Sequence, residues 1–267
     1  MNEIMALTFL ALALGFVSSF LGIGGGSIAV PVLYSFYPNA TPVEVISTSL
    51  GSIFFITSLN SIQYALEGLL PHWKKIIPLA IMCLLGGMLG SSIVFALEPG
   101  IVKKIFGFTL LIIMAKSILH KPKESEQNNQ EDVPIIQLMI IGLLGSLLSS
   151  ITGLGGGIIF TPAFLEISKL RIKRVAPYAN IAMVFATGAG LIAHLTAAPP
   201  ILPGIYLPHF NSLQLGNVNI SVVLFLGIGS LISSRFGVKL NGRVSKKTKK
   251  RILLALLLVL SLKTLIF

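Results

Sequence analysis

The chain has 267 residues, of which 54% are hydrophobic and only 11% charged, with a formal net charge of +11. An ordinary soluble domain is about 25% charged, so this composition excludes a water-soluble globule, and its apolar content excludes a disordered chain. A single cysteine, Cys83, excludes a disulfide scaffold, a four-cysteine zinc site and an iron–sulfur cluster.

A membrane-spanning helix needs about 20 mostly apolar residues. Met5 to Tyr37 is the first such stretch. It has no basic n-region or small-residue cleavage site, so it is expected to stay as a membrane helix and not to be removed as a signal peptide. Val45 to Leu66, Ile76 to Leu97 and Ile105 to Leu119 follow. The run from His120 to Asp132 is rich in charges and amides and reads as a water-exposed linker. Apolar segments resume at Ile135 to Leu165, Val175 to Leu195, Val218 to Val238 and Ile252 to Phe267. The expected fold is an all-α polytopic membrane protein of about eight segments in two four-helix repeats. The first repeat covers residues 1–119, a polar linker 120–133 and the second repeat 134–267.

The two halves resemble each other. Gly22-Ile-Gly-Gly-Gly-Ser-Ile-Ala-Val-Pro31 recurs as Gly153-Leu-Gly-Gly-Gly-Ile-Ile-Phe-Thr-Pro162, 131 positions later. The same shift carries Ser18-Ser19 onto Ser149-Ser150, Ser49 onto Asn180, Ile56 onto Thr187 and Gln63 onto His194. Further on, Gly87 to Ser92 lies against Gly229 to Ser234. Recurrence with flanking serines and proline marks a duplication, and transporters built from repeats bind their substrates between them.

Charge placement suggests an orientation. Numbering the segments one to eight, loops 3–4, 5–6 and 7–8 carry Lys103, Lys104, Lys169, Arg171, Lys173, Arg174 and the basic run up to Arg251. Together with the uncharged loop 1–2 they form one face, expected to be cytoplasmic by the positive-inside rule. Lys74, Lys75 and the linker then fall outside with both termini, and the repeats are expected to be parallel. Segments one and five exceed 30 residues, and a re-entrant hairpin at either glycine break would change this count. The stretch Arg243 to Arg251 could bind nucleic acid or anionic lipid; as a short loop between two membrane segments it is read as an orientation signal, so no nucleic-acid partner is expected.

Each glycine run should break its helix, because a helix interior disfavours each glycine by about 1 kcal/mol. Unwound backbone at membrane depth is tolerated only where it lines a cavity or is buried in protein. Pro31 and Pro162 suit the first turn of a new helix. Helices restarting near Ser27 and Ile158 would offer free N–H groups and positive dipole ends to an anion. The candidate substrate-binding residues are therefore Gly24, Gly25, Gly26, Ser27, Gly155, Gly156, Gly157 and Ile158. The alternative is close helix packing through Gly22/Gly26, Gly86/Gly90 and Gly153/Gly157. Neither run is a dinucleotide or ATP fingerprint.

On segment two, Ser49, Ser52, Ile56, Asn60 and Gln63 share a face; on segment six the matching face holds Asn180, Met183, Thr187, Leu191 and His194. These form either a polar wall for a substrate or helix–helix hydrogen bonds. Ser49 and Asn180, nearest the breaks in the alignment, join the candidate site, with Ser19, Thr48, Ser150, Thr187 and His194 as secondary positions. His194 is either a proton relay or, near a membrane boundary, a structural or simply hydrated residue. No carboxylate falls at an expected midplane, and no metal cluster or catalytic motif is visible. No metal, cofactor or enzymatic activity is expected.

Gly15-Phe-Val-Ser-Ser-Phe-Leu-Gly-Ile-Gly-Gly-Gly26 with Pro31, its repeat Gly145 to Gly157 with Pro162, and Leu215-Gly-Asn-Val-Asn-Ile220 resemble the TauE/SafE family of membrane permeases, also called the sulfite-exporter or sulfonate-uptake family. The resemblance spans nearly the whole chain. It implies a duplicated four-helix architecture and transport of a small sulfur-containing anion such as sulfite or an organosulfonate. Segment six opens with Pro177-Tyr-Ala-Asn180 where the family often carries a Thr-Ser pair, as Thr48-Ser49 does here, which bears on substrate identity. The expectation is a secondary transporter in the cytoplasmic membrane working by alternating access, with the lipid bilayer and the anion as its partners. An anion channel of the same architecture, a subunit of a larger complex and a homo-oligomer stay open.

Overall fold

The computed structural model describes residues 2–21, 26–98, 100–102, 104–105, 107–109, 133–164, 168, 170, 172–198, 204–206 and 213–241. The linker, the basic stretch Arg243 to Arg251 and the last apolar segment lie outside the described residues.

The helices are α1 (Asn2–Leu21), α2 (Gly26–Phe36), α3 (Pro42–Leu66), α4 (Trp73–Ala96), α5 (Ile135–Thr152), α6 (Gly157–Pro162), α7 (Ile172–Thr196) and α8 (Ile220–Asn241). The described residues between 100 and 109 are also helical. The expected second break is present: α5 stops at Thr152 before α6 begins at Gly157. The first glycine run, from Gly22 to Gly25, lies outside the described residues. One departure from an all-helical chain is a short hairpin, β1 (Gln214–Leu215) with β2 (Val218–Asn219), paired antiparallel just before α8.

Local signals set the boundaries. Thr41 caps α3 in a reciprocal capping box with Glu44, and Pro42 occupies the first turn, satisfying donors that a helix start leaves free. The imidazole of His72 caps α4 by accepting from the Lys74 N–H. Gly153 closes α5 in the left-handed conformation, its N–H donating to the Ser149 carbonyl at 2.9 Å.

Among the described residues four helices, α3, α4, α5 and α7, are long and apolar enough to cross a membrane. Ile136, Ile140, Leu144 and Leu148 on α5 are exposed, as are Leu224, Ile228, Ile232 and Phe236 on α8. Their four-residue spacing makes continuous apolar stripes, a surface suited to lipid and not to water. The inward faces are small. A Cβ at Gly86 would lie 2.3 Å from the Leu143 carbonyl oxygen, and one at Gly90 2.5 Å from that of Leu147. Here α4 and α5 meet backbone to backbone, the small-residue packing anticipated for Gly86/Gly90.

Contacts fix the helix directions. Gly190 meets Leu50, Gly188 meets Phe54 and Asn180 meets Asn60, so α3 and α7 run antiparallel. Gly51 meets Val223 and Gly227 meets Phe55, so α3 and α8 are parallel. Ala11 meets Gly229 and Gly15 meets Ser233, which makes α1 parallel to α8 and hence to α3. The chain therefore returns across the fold between Leu21 and Pro42, through α2. In the second half α5 runs parallel to α4, and α4 parallel to α7, by the contacts of Gly142 with Leu79, Gly86 with Ser146 and Gly87 with Ala186 and Ala189. The return there lies between Thr152 and Ile172, through α6.

This corrects the parallel arrangement read from hydropathy, which counted each broken segment as one crossing. The face assignment changes with it. The Arg174 guanidinium donates to the Leu69 carbonyl at 3.3 Å, and the Lys75 ammonium to the Val133 carbonyl at 2.7 Å. Loops 2–3 and 5–6 and the end of the linker therefore share one face, not two. On the opposite face Glu44 accepts from the Gly204 N–H at 2.7 Å, and the Tyr37 hydroxyl donates to the Tyr206 carbonyl at 2.6 Å. These bonds stitch loop 1–2 to loop 6–7.

Candidate functional site

The second glycine break is a turn of three left-handed glycines, Gly153, Gly155 and Gly156, at φ of 69°, 69° and 79°. Gly156 is the N-cap residue of α6, and no side chain caps the first turn. The turn is buried: Leu154 and Ile158 join a core with α1, α2 and α8, and Gly155 packs on Ile53 of α3. Backbone of this kind at membrane depth survives because protein surrounds it. Ile159 and Phe160 already donate their N–H groups to the Gly156 carbonyl, and α6 has only six residues.

Ser49 reaches this break from α3. Its hydroxyl donates to the Gly153 carbonyl at 2.9 Å, holding the turn. Thr48 beside it accepts from the Asn219 N–H at 3.3 Å. Asn219 in turn donates to the Ile205 carbonyl and accepts from the Val222 N–H, capping α8. Asn219 stands in the Gly-Asn-Val-Asn run, but nothing in that run shows that it anchors loop 6–7 to α3.

Asn180 sits elsewhere. Its Oδ1 accepts from Asn60 Nδ2 at 3.2 Å, and its own Nδ2 donates to the Ala176 carbonyl at 2.9 Å. Because α3 and α7 are antiparallel, Asn180 lies at the level of Asn60, about 16 Å along α3 from Ser49 at 1.5 Å rise per residue. The structure does not bring Ser49 and Asn180 together. The Asn60–Asn180 pair is a helix–helix bond; a double-mutant cycle with Asn60→Leu and Asn180→Leu, read by unfolding in detergent, should return a coupling of about 0.6 kcal/mol.

The remaining positions divide by where their hydroxyls point. Ser19 and Thr187 donate to carbonyls one turn back on their own helices, Gly15 and Met183, at 2.7 and 2.6 Å. Ser150 and His194 are fully buried and have no hydrogen-bond partner. His194 packs edge-on against Phe95, ring centroids 4.7 Å apart, which fits the structural reading of this residue and not the hydrated one. Gly26 and Ser27 open α2; Gly24 and Gly25 lie outside the described residues.

The family model described as "Sulfite exporter TauE/SafE" matches residues 7–264. A probable membrane transporter protein of Methanocaldococcus jannaschii is 29% identical over 257 residues, covering 93% of this chain and 90% of the relative. One from Haemophilus influenzae is 27% identical over 258 residues, covering 96% and 93%. One from Bacillus subtilis is 24% identical over 270 residues, covering 91% and 90%. No solved structure matches the chain.

Proposed function

Given that the chain belongs to the sulfite exporter TauE/SafE family, a family of multi-pass membrane transporters, we propose that it is a secondary transporter for a small sulfur-containing anion such as sulfite or an organosulfonate, working by alternating access across the cytoplasmic membrane. The observation that carries this reading is the buried break between α5 and α6, where a polar backbone turn interrupts a membrane helix next to Ser49. The family description supplies the sulfur anion.

The substrate site lies at the breaks, with Gly155, Gly156, Gly157 and Ile158 forming its second-repeat side and Ser49 fixing the turn. Gly24, Gly25, Gly26 and Ser27 form the first-repeat counterpart, and Asn180, held in its bond with Asn60 away from Ser49, is not a donor at the same site as Ser49. The antiparallel run of α3 and α7, which the 131-residue shift relates, supports an inverted pair of repeats. In such a pair an exchange of conformations between the halves moves the opening from one membrane face to the other. The face holding Lys74, Lys75, Arg174 and the linker is the cytoplasmic one, by its excess of Lys and Arg, and both chain termini are outside.

Purified protein in liposomes should accumulate sulfite or a sulfonate above protein-free vesicles. Absence of flux for every sulfur anion tried would refute the substrate assignment.

A further inference from the structure

Most hydroxyls on these helices are accounted for by their own backbone. Ser52, Thr57, Ser92, Ser146 and Thr152 each donate to the carbonyl four residues back, at 2.6 to 3.0 Å. Among the described residues Ser18, Ser61, Ser149 and Ser168 do not, and neither do two serines that share a neighbour, Ser91 on α4 and Ser150 on α5. Both are fully buried and neither hydroxyl has a hydrogen-bond partner. They converge on Gly190 of α7: a Cβ there would lie 3.2 Å from Ser150 Oγ and 3.4 Å from Ser91 Oγ.

His194 completes the group. It stands one turn after Gly190 on the same face of α7, and helical side chains lean over the turn that precedes them. Phe95, which its ring touches, stands one turn after Ser91 on α4. Both imidazole nitrogens are unpartnered, and the residue is fully buried. Buried polar groups are nearly always hydrogen-bonded, and several exceptions on one spot call for a bound partner.

The partner's chemistry follows from the donors. Two hydroxyls and one imidazole N–H supply three hydrogens. The stretches Ile76–Ala96, Ile135–Thr152 and Val175–Thr196 that enclose them contain no Asp, Glu, Lys or Arg. Among the described residues no His, Cys, Asp and Glu cluster could hold a metal. Without a carboxylate the group suits an anion's oxygens better than a cation.

We propose that Ser91, Ser150 and His194 form a cradle over Gly190, between α4, α5 and α7, that binds a small oxyanion. The proposal takes sulfite as its first probe from the function proposed above, but the cradle stands on its own geometry. Gly190 is part of it, because a side chain there would press on both hydroxyls and on Leu50, 2.8 Å from a Cβ.

The test is a thermal-shift titration of the full-length protein in detergent with sulfite, thiosulfate, sulfate, phosphate and nitrate. It compares the natural chain with Ser91→Ala, Ser150→Ala, His194→Leu and, as an isosteric control of packing, Ser91→Cys. At least one oxyanion should stabilise the natural protein, and each variant should raise its Kd about tenfold or more, the loss of one hydrogen bond to a charged group. The ligand-free melting temperature of the two alanine variants should hold or rise, because an unsatisfied hydroxyl is being removed from apolar surroundings. A purely structural role gives the reverse, a lowered melting temperature with an unchanged Kd, and overturns the cradle. No stabilisation of the natural protein by any of the five anions also overturns it. Sulfite uptake in liposomes that persists undiminished in all the variants would discard the cradle and leave the transport reading standing. Cradle-dependent binding of phosphate or nitrate alone keeps the cradle and removes the sulfur assignment.

Discussion

Replacing Gly156 with leucine should abolish sulfite uptake in liposomes and lower the melting temperature in detergent. Gly156 has φ of 79°, a region that costs an L-residue about 1–2 kcal/mol. Its Cβ would also lie 2.5 Å from Phe160 Cε2 and 2.7 Å from Cδ2. Phe160 is fully buried in the core with Leu79, Phe164 and Tyr178, so it has nowhere to go, and overpacking of this kind costs about 1–3 kcal/mol more. Together these take a large share of the roughly 5–15 kcal/mol that holds a folded protein together. Gly155→Leu should behave alike, since φ there is 69° and a Cβ would meet Ile53 at 2.6 Å. Wild-type uptake by either variant would mean that the broken turn is dispensable, and the proposed substrate site with it.

Single cysteines should report an inverted arrangement of the halves. In whole cells a membrane-impermeant maleimide should label Asn39→Cys, Glu98→Cys and Ala198→Cys. Lys74→Cys and Arg174→Cys should react only after permeabilisation. The native Cys83 is fully buried and should stay silent. The contrast is all-or-none, because Arg174 bonds to the Leu69 carbonyl and cannot lie across the membrane from the loop that carries Lys74. Parallel repeats would instead place Lys74 and Arg174 on opposite faces, and labelling of only one of that pair from outside would restore them.

Ser49 and Asn180 show why the candidate site is only partly legible in the sequence. Its place in the alignment sets Ser49 beside a glycine break, and it does touch one, but the break is the one in the second half of the chain. The 131-residue shift paired it with Asn180 as if equivalent positions had to meet. In antiparallel helices equivalent positions sit at mirrored heights, so Asn180 meets Asn60 and Ser49 meets Gly153. Ser91 carried no signal of its own, being one serine among many on an apolar helix. Only its failure to bond to its own backbone, and its approach to Gly190, set it apart.

What the sequence alone determined is what depends on composition and local order. Eleven per cent charge in 267 residues means membrane, because too few polar groups exist to face water. Gly-Gly-Gly followed by proline means a broken helix, because glycine and proline act through their own backbones. Recurrence of that pattern reads as a duplication. Helix direction is different in kind. A hydrophobic run of 33 or 31 residues, Met5 to Tyr37 or Ile135 to Leu165, has the same composition whether it crosses once or crosses and returns. The charge count then inherits whichever choice is made. Only contacts between distant residues resolved it, Arg174 with Leu69 on one face and Glu44 with Gly204 on the other. Such contacts depend on how the helices pack against one another, which no local window of the chain contains.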